Sequence, residues 1–207
     1  MRPRSTMDTP WDQRLANLVI RPLAETRITP NQVTTGSLIV GLVGAILFAR
    51  GGGSVDAGAA LFMLSFWLDH ADGELARITG RTSSFGHYYD LAAGGAVLIA
   101  TFIGIGVGLG EGELGRFAPL LGVAVGGAIA IIFVLRGELE RQLGKTSTRQ
   151  PRLLGFEVED VLYLLGPITW LGALTPFLLL AGIGTPLFAL WVLWECRRLV
   201  RRRRGAW

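Results

Sequence analysis

Apolar residues occur along the chain in six long runs that short polar segments separate. Each run approaches the roughly 20 residues that a helix needs to cross the hydrocarbon core of a bilayer. The runs lie at residues 31–50, 57–79, 85–109, 117–140, 157–181 and 185–203. Because a helix satisfies all of its own backbone hydrogen bonds in lipid, we predict an all-α integral membrane protein with six transmembrane helices.

Two helix-start signals precede or begin the first run. In TPWDQRLANLVIRPL, Thr9 is a suitable N-cap and Pro10 suits the first helical position. Apolar residues then recur at helical spacing, at Trp11, Leu15, Leu18 and Val19. This pattern predicts a short amphipathic helix that lies on the membrane surface. The second signal is Thr29 with Gln32 three residues later, in capping-box spacing, and it begins the first span.

Basic residues are distributed unequally between the two ends of the predicted spans. Of the 20 lysines and arginines, only Arg50 and Arg116 lie on the side opposite the N-terminus. Because basic residues near span ends favour the cytoplasm, we expect both termini on the cytoplasmic side of the inner membrane. Anionic lipid is then the expected partner of the basic face, and nucleic acid is not. The expected division is a cytoplasmic segment at 1–28, a membrane domain at 29–203 and a cytoplasmic tail at 204–207.

Composition narrows the chemistry further. Half of the 207 residues are hydrophobic, and the length suits one domain. The single cysteine, Cys196, excludes an intrachain disulfide and a metal site built on two thiols. Glycines at short spacing predict close helix packing in the third and fourth spans. These glycines are Gly104, Gly106, Gly108, Gly110, Gly122, Gly126 and Gly127.

Acidic residues interrupt the second and third apolar runs. Asp69 and Asp72 are three residues apart, so a helix places both carboxylates on one face, and Asp90 follows near the start of the next, antiparallel run. Three carboxylates at similar membrane depth are costly unless a counter-charge compensates them. Mg²⁺ or Mn²⁺ would supply that charge, because both prefer oxygen ligands. We therefore predict a metal site at these three aspartates.

Small residues and one arginine extend the same helix face. Gly73 and Ala76 have almost no side chain, which leaves room for a bulky ligand or another backbone. The planar donor group of Arg77 suits a phosphate. Gly86 lies at the start of the third run, four residues before Asp90.

The spacing of these residues, in DHADGELAR and the following GHYYD, resembles the signature of the CDP-alcohol phosphotransferase (CDP-alcohol phosphatidyltransferase) family, and the likeness extends over residues 29–94. The resemblance implies a homodimeric membrane enzyme of phospholipid synthesis. Such an enzyme transfers a substituted phosphate from a CDP-linked alcohol, here expected to be CDP-diacylglycerol, to an acceptor alcohol and releases CMP. By the same resemblance the three aspartates hold two divalent ions, and the CDP moiety is bordered by Gly73, Ala76, Arg77 and Gly86.

One position departs from the family pattern. The pattern has a fourth aspartate four residues after Asp90, and this chain has Gly94 there. The resemblance assigns that aspartate to the general base that acts on the acceptor hydroxyl, a role whose loss typically costs about 10²–10⁴ in rate. A carboxylate from elsewhere is one replacement, and the candidates are Glu138, Glu157 and Asp160.

Other accounts of Gly94 stay open. A phosphate, a carboxylate or an acidic hydroxyl is already nucleophilic at neutral pH, so such an acceptor needs little help from a base. Alternatively the chain binds a CDP-lipid and metal without turnover, as a partner or regulator of an active relative. A third class is an ion-coupled transporter, because intramembrane acids near glycine-rich helices are also typical of transporters.

Basic residues near the inner end of the fourth span and in the loop after it suit a phosphorylated acceptor. The candidates are Arg136, Arg149 and Arg152. The same residues satisfy the positive-inside rule, so both interpretations remain open.

Overall fold

The computed structural model describes residue 20, residues 22–143 and residues 162–204. Within this part the chain is helical and contains no strand. The helices are α1 (Pro30–Arg50), α2 (Val55–Thr79), α3 (Ser84–Gly108), α4 (Phe117–Leu143), α5 (Leu165–Trp170) and α6 (Leu174–Arg204), and a short 3₁₀ turn, Gly52–Ser54, joins α1 to α2. The predicted surface helix around Trp11 to Val19 lies outside the described residues.

The predicted start of α1 is confirmed. The Thr29 hydroxyl accepts a hydrogen bond from the Gln32 N–H at 3.4 Å, and the Gln32 side chain accepts one from the Thr29 N–H at 2.9 Å. Pro30 occupies the first helical position, where its missing N–H is not needed. The capping box therefore fixes where the chain enters the first helix.

Four of the described helices are long and apolar enough to cross a membrane, which supports an integral membrane protein. They are Pro30–Arg50, Ser84–Gly108, Phe117–Leu139 and Leu174–Arg198. Helix α2 has 25 residues, about 37 Å at 1.5 Å per residue, which is also sufficient length, but it carries more charge. The count of six spans stays a prediction.

The predicted boundary between the fifth and sixth spans is wrong. From the sequence we expected this boundary at residues 182–184, where two glycines precede Pro186. In the structure the chain turns at residues 171–173, and Gly172 has a φ of 70°, a conformation that glycine adopts without strain. Helix α6 then runs for 31 residues with Pro186 inside it. Proline is tolerated within membrane helices because neighbouring groups satisfy the freed backbone carbonyl.

All six helices contribute to one apolar core. Among its fully buried members are Phe48 of α1, Phe62 of α2, Ile105 of α3, Val125 of α4 and Leu178 of α6, and α5 adds a buried leucine. Large apolar side chains also cover the outer surface, as expected for helices that face lipid. Examples are Ile39, Ile46, Val134, Leu180 and Leu190.

Most of the predicted glycines bring helix backbones into contact, and Gly127 is an exception, since a Cβ there would meet nothing within 4 Å among the described residues. A Cβ at Gly104 would collide with the carbonyl oxygen of Ala45, so α3 and α1 touch there. A Cβ at Gly106 would lie 2.6 Å from the Ala118 carbonyl oxygen, which places α3 against α4. This close packing holds α3, which carries Asp90, between its two neighbours.

Candidate functional site

The three predicted carboxylates meet at one place. Asp69 and Asp72 belong to the second half of α2, and Asp90 belongs to the second turn of α3. The link between the helices is short because Gly80, with a φ of 66°, ends α2 and the Ser83 hydroxyl caps α3. One carboxylate oxygen from each aspartate lies within 4.8 Å of the others. The predicted convergence is confirmed.

The donor set is suited to a hard divalent cation. Asp72 is only 3% exposed. Asp90 has one buried oxygen, Oδ1, that accepts no hydrogen bond from any residue that the structure describes. The 4.8 Å spread of the three oxygens is close to the roughly 4.2 Å between opposite ligands of one Mg²⁺ ion. The residues present therefore fit Mg²⁺ or Mn²⁺, while the identity and number of ions stay predictions.

The helix face beside Asp72 is open, as the small residues predicted. Apart from its chain neighbours and the backbone of its own helix, a Cβ at Gly73 would meet one atom within 4 Å among the described residues, a guanidinium nitrogen of Arg77 at 3.9 Å. Arg77 is exposed and pairs with Glu74, since its Nε donates to Glu74 Oε2 at 2.9 Å and its Nη2 lies 2.7 Å from the same oxygen. Ala76 is half-buried on α2. This face of α2 therefore offers space for a ligand and the cationic side chain of Arg77. The role of these residues in CDP binding remains a prediction.

Gly86 brings the start of α3 close to α1. A Cβ at this position would lie 3.2 Å from Asn31 Oδ1 and 3.1 Å from Ser83 Oγ. The Gly86 N–H donates to the same Ser83 hydroxyl at 2.9 Å. A side chain here would therefore crowd Asn31 and Ser83.

Gly94 faces the carboxylate cluster. A Cβ at Gly94 would lie 3.3 Å from Asp69 Oδ1 and 3.9 Å from the other two carboxylate atoms of Asp69. The neighbouring Gly95 instead faces the ring of Phe133, 3.2 Å from the position of a Cβ. An acidic side chain at position 94 would therefore join the three aspartates.

A cavity of about 440 Å³ adjoins Gly94. It is bounded by α1, α2, α3, α4 and α6 and by Leu162, which lies three residues before α5. This volume is typical of a small-molecule site. Most of its lining is apolar and aromatic: Phe62, Phe66, Leu91, Val97, Leu98, Ile132, Phe133, Leu162 and Phe188. The charged lining residues are Asp69, Asp90 and Arg136.

Two serines also line the cavity, and they are occupied with each other. The Ser37 hydroxyl donates to the Ser65 carbonyl at 2.9 Å, and the Ser65 hydroxyl donates to the Ser37 carbonyl at 2.8 Å. Both side chains are buried between α1 and α2. The polar character of the cavity therefore comes mainly from its charged residues.

Arg136 is a cation in a mostly apolar setting. Its guanidinium carbon lies 5.8 Å from the centre of the Phe188 ring. Within the described ranges no carboxylate forms an ion pair with it. Glu138 follows two residues later, about 200° further around α4, and does not line the cavity. The other predicted acceptor and base residues, Arg149, Arg152, Glu157 and Asp160, lie outside the described residues.

Thr34 is a site residue that the sequence analysis missed. It is 2% exposed on α1, and its hydroxyl donates to Asp72 Oδ2 at 2.5 Å. The segment TPNQVT indicated a helix start and gave no sign that its second hydroxyl reaches α2. A hydroxyl buried one turn inside an apolar run is a weak signal, because threonine also bonds to its own helix backbone.

Comparison with known proteins agrees with this geometry. The sequence model of the family described as CDP-alcohol phosphatidyltransferase matches residues 27–195. A bifunctional IPC transferase and DIPP synthase of Thermococcus kodakarensis is 37% identical over 79 residues, which are 38% of this chain and 17% of that protein. The chain therefore spans less than a fifth of that relative's length.

The fold is also similar to that of the Mycobacterium tuberculosis phosphatidylinositol phosphate synthase, in a crystal structure with CDP-DAG bound. The TM-score is 0.70 at 21% identity, and the match covers 88% of this chain and 94% of that one. The family match extends over most of the sequence and includes every aspartate of the cluster. This chain therefore belongs to the CDP-alcohol phosphatidyltransferase family, as the spacing of its aspartates predicted.

Proposed function

We propose that this protein is a divalent-metal-dependent CDP-alcohol phosphotransferase of phospholipid synthesis. It transfers a substituted phosphate from a CDP-alcohol to an acceptor alcohol and releases CMP. The observation that carries the proposal is the convergence of three carboxylates within 4.8 Å beside a cavity of about 440 Å³. CDP-diacylglycerol is the donor we favour, because the structurally similar mycobacterial synthase has CDP-DAG bound.

Asp69, Asp72 and Asp90 hold the metal in this proposal. Two bound Mg²⁺ or Mn²⁺ ions would neutralise the diphosphate and improve the leaving group. The contribution of the chain is to fix three acidic ligands on two helices joined by a short link. Family membership supports this use of the cluster.

Residues next to the cluster border the CDP moiety in the proposal. The open face at Gly73 and Ala76 lets the nucleotide approach α2 closely. Arg77, exposed and held by an acidic neighbour three residues earlier, presents donors for a phosphate. Gly86 adds no side chain of its own at the start of α3, where Asn31 of α1 approaches.

The acceptor enters the cavity, and Arg136 binds its anionic group. A guanidinium in an apolar cavity attracts an anion more strongly than one in water does, because the surroundings screen less. A phosphorylated alcohol is the acceptor class that this cation suits. Arg149 and Arg152 stay proposed acceptor-binding residues on sequence grounds alone.

The acceptor step follows an atypical route, because the position of the usual base is Gly94. Of the three replacement candidates, Glu138 is disfavoured because it does not line the cavity. Glu157 and Asp160 are therefore the candidates to test, as Glu157→Gln and Asp160→Asn. If neither substitution alters CMP release, and Gly94→Asp also leaves it unchanged, both the missing base and its replacement are refuted.

The proposed topology has six spans, with both termini and the site on the cytoplasmic side of the inner membrane. Its support is that Arg50 and Arg116 flank the ends of α1 and α4 that lie away from the carboxylates. A membrane domain over 29–203, contact of the basic face with anionic lipid, and a homodimer complete the proposal. Site-directed labelling from each side of sealed vesicles tests the orientation.

One assay tests the function. Purified protein is mixed with labelled CDP-diacylglycerol, Mg²⁺ and a panel of alcohols that includes phosphorylated ones. We expect CMP release that requires both an acceptor and the metal, and that Asp72→Asn abolishes. If no acceptor gives CMP release while CDP-diacylglycerol still binds, the result supports the alternative suggested by Gly94, a CDP-lipid-binding protein without catalytic activity. Ion flux in sealed vesicles without any nucleotide dependence would instead indicate a transporter.

A further inference from the structure

Helix α1 contributes a hydroxyl to the carboxylate cluster. Thr34 Oγ1 lies 2.5 Å from Asp72 Oδ2 and 3.1 Å from the carbonyl oxygen of Pro30. A threonine hydroxyl has one hydrogen to donate, so it cannot fully satisfy both acceptors. The shorter contact is to the carboxylate, where the charge of the acceptor strengthens the bond.

This bond is shielded from water. Thr34 is 2% exposed and Asp72 is 3% exposed, so solvent does not compete for either group. A short hydrogen bond to one carboxylate oxygen restricts rotation of the Asp72 side chain. It thereby determines how the carboxylate is oriented toward Asp69 and Asp90.

The surrounding contacts hold Thr34 rigidly. Ser37, three residues later on the same face of α1, exchanges two hydrogen bonds with Ser65 of α2. A Cβ at Gly41, one turn further, would collide with the Ser65 hydroxyl at 2.6 Å, so the two helices are in close contact there. The hydroxyl of Thr34 is therefore presented by a helix that cannot shift freely against α2.

We propose that Thr34 is a positioning residue of the metal site, which orients Asp72 for a divalent cation. This inference rests on the proposed function, because it assumes that the three aspartates bind metal. Partners that hydrogen-bond to metal ligands typically contribute about 10–100-fold to metal affinity. Thr34 acts through Asp72 and needs no contact of its own with the metal or the substrate.

The test measures Mn²⁺ binding to the purified full chain by electron paramagnetic resonance, without donor or acceptor. Thr34→Val keeps the shape and the β-branch of the side chain and removes the hydroxyl. We expect the Kd for Mn²⁺ to rise about 10–100-fold. Thr34→Ser restores the hydroxyl and should return the Kd close to the wild-type value.

The adjacent Thr35 provides a matched control. Its hydroxyl lies 2.8 Å from the Asn31 carbonyl oxygen and 2.9 Å from the Tyr89 hydroxyl, and no hydrogen bond joins it to an aspartate in the part of the chain that the structure describes. Thr35→Val therefore removes a hydroxyl from the same helix turn and should leave the Kd for Mn²⁺ unchanged.

The outcomes separate this inference from the proposed function. If the wild type binds Mn²⁺ and Thr34→Val binds it equally well, the positioning role is refuted and the metal site stands. An equal loss of affinity in Thr35→Val also refutes it, because the effect would then be general to α1. If the wild type binds no Mn²⁺, the proposed metal-dependent function fails first and the inference with it. Should Thr34→Val not fold, Thr34→Ala against Thr34→Ser gives the same comparison, and equal affinities overturn the proposal.

Discussion

Placing an aspartate at position 94 should change both the stability and the chemistry of the carboxylate cluster. A Cβ at this position lies 3.3 Å from Asp69 Oδ1, so the new carboxylate would be a direct neighbour of an existing one. Two unit charges about 4 Å apart repel by about 4 kcal/mol at an effective dielectric constant of 20. Without metal, Gly94→Asp should therefore lose a large part of the 5–15 kcal/mol that typically stabilises a folded protein.

Metal should reverse this destabilisation. A divalent ion next to four carboxylates compensates their repulsion and gains one more oxygen ligand. We therefore expect the midpoint of thermal unfolding of Gly94→Asp to fall in EDTA and to rise more steeply with Mn²⁺ than that of the wild type. With a neutral alcohol as acceptor, a restored general base should increase CMP release by about 10²–10⁴-fold.

Gly94→Asn is the matched control, because asparagine has nearly the same shape as aspartate and neither its charge nor its basicity. It should crowd Asp69 equally, yet show no added response to Mn²⁺ and no gain in CMP release. Thermal unfolding is followed in detergent with and without Mn²⁺, and CMP release is measured on the same preparations. If the two variants behave alike in both assays, position 94 does not act on the cluster through charge, and the reasoning above is refuted.

Three further predictions concern the cavity and the helix packing. Arg136→Ala should raise the KM for an anionic acceptor about 10–100-fold, because a hydrogen bond to a charged group contributes about 1.5–3 kcal/mol. The KM for CDP-diacylglycerol should stay constant. An equal rise of both KM values in initial-rate assays would contradict the assignment of Arg136 to the acceptor. Gly104→Ala should lower the free energy of unfolding by about 1–3 kcal/mol, because its Cβ meets the Ala45 carbonyl oxygen of α1. Gly127→Ala is the control for Gly104→Ala, because a Cβ at position 127 meets nothing within 4 Å among the described residues and an alanine there should slightly stabilise α4. Equal unfolding midpoints for the two variants would show that the contact between Gly104 and Ala45 does not determine stability. Gly172→Ala should cost about 1–2 kcal/mol in the same measurement, because a side chain is strained at a φ of 70°.

The convergence of the aspartates could be predicted because it depends on local rules. Helical periodicity places Asp69 and Asp72 on one face of α2. Because the link between α2 and α3 is short, the start of α3 with Asp90 must lie next to the end of α2. The glycines that predict close packing act in the same way, since a missing side chain is visible in the sequence. The start of α1 could also be predicted from the sequence, because all members of a capping box lie within four residues.

Other features depended on contacts that have no local signal. Thr34 bonds to a residue 38 positions away, and its sequence neighbours do not distinguish it from Thr35. The turn at residues 171–173 was missed because Gly172 has no flanking proline, whereas the glycines before Pro186 resemble a helix end and lie inside α6. Whether a glycine turns the chain is decided by its backbone conformation, and tertiary packing sets that conformation.

The residues proposed for the donor and for the acceptor lie in different parts of the chain, which has a consequence for how relatives could differ in acceptor specificity. The residues proposed to hold the metal and the donor diphosphate lie on α2 and α3, and Thr34 of α1 is proposed to orient one of them. Arg136, Leu162 and Phe188, which line part of the cavity, belong to the second half of the chain. On the proposed function, exchanging the second half for that of another family member would alter which alcohol is consumed and leave nucleotide use intact. The two halves can then diverge at different speeds within one membrane-embedded scaffold.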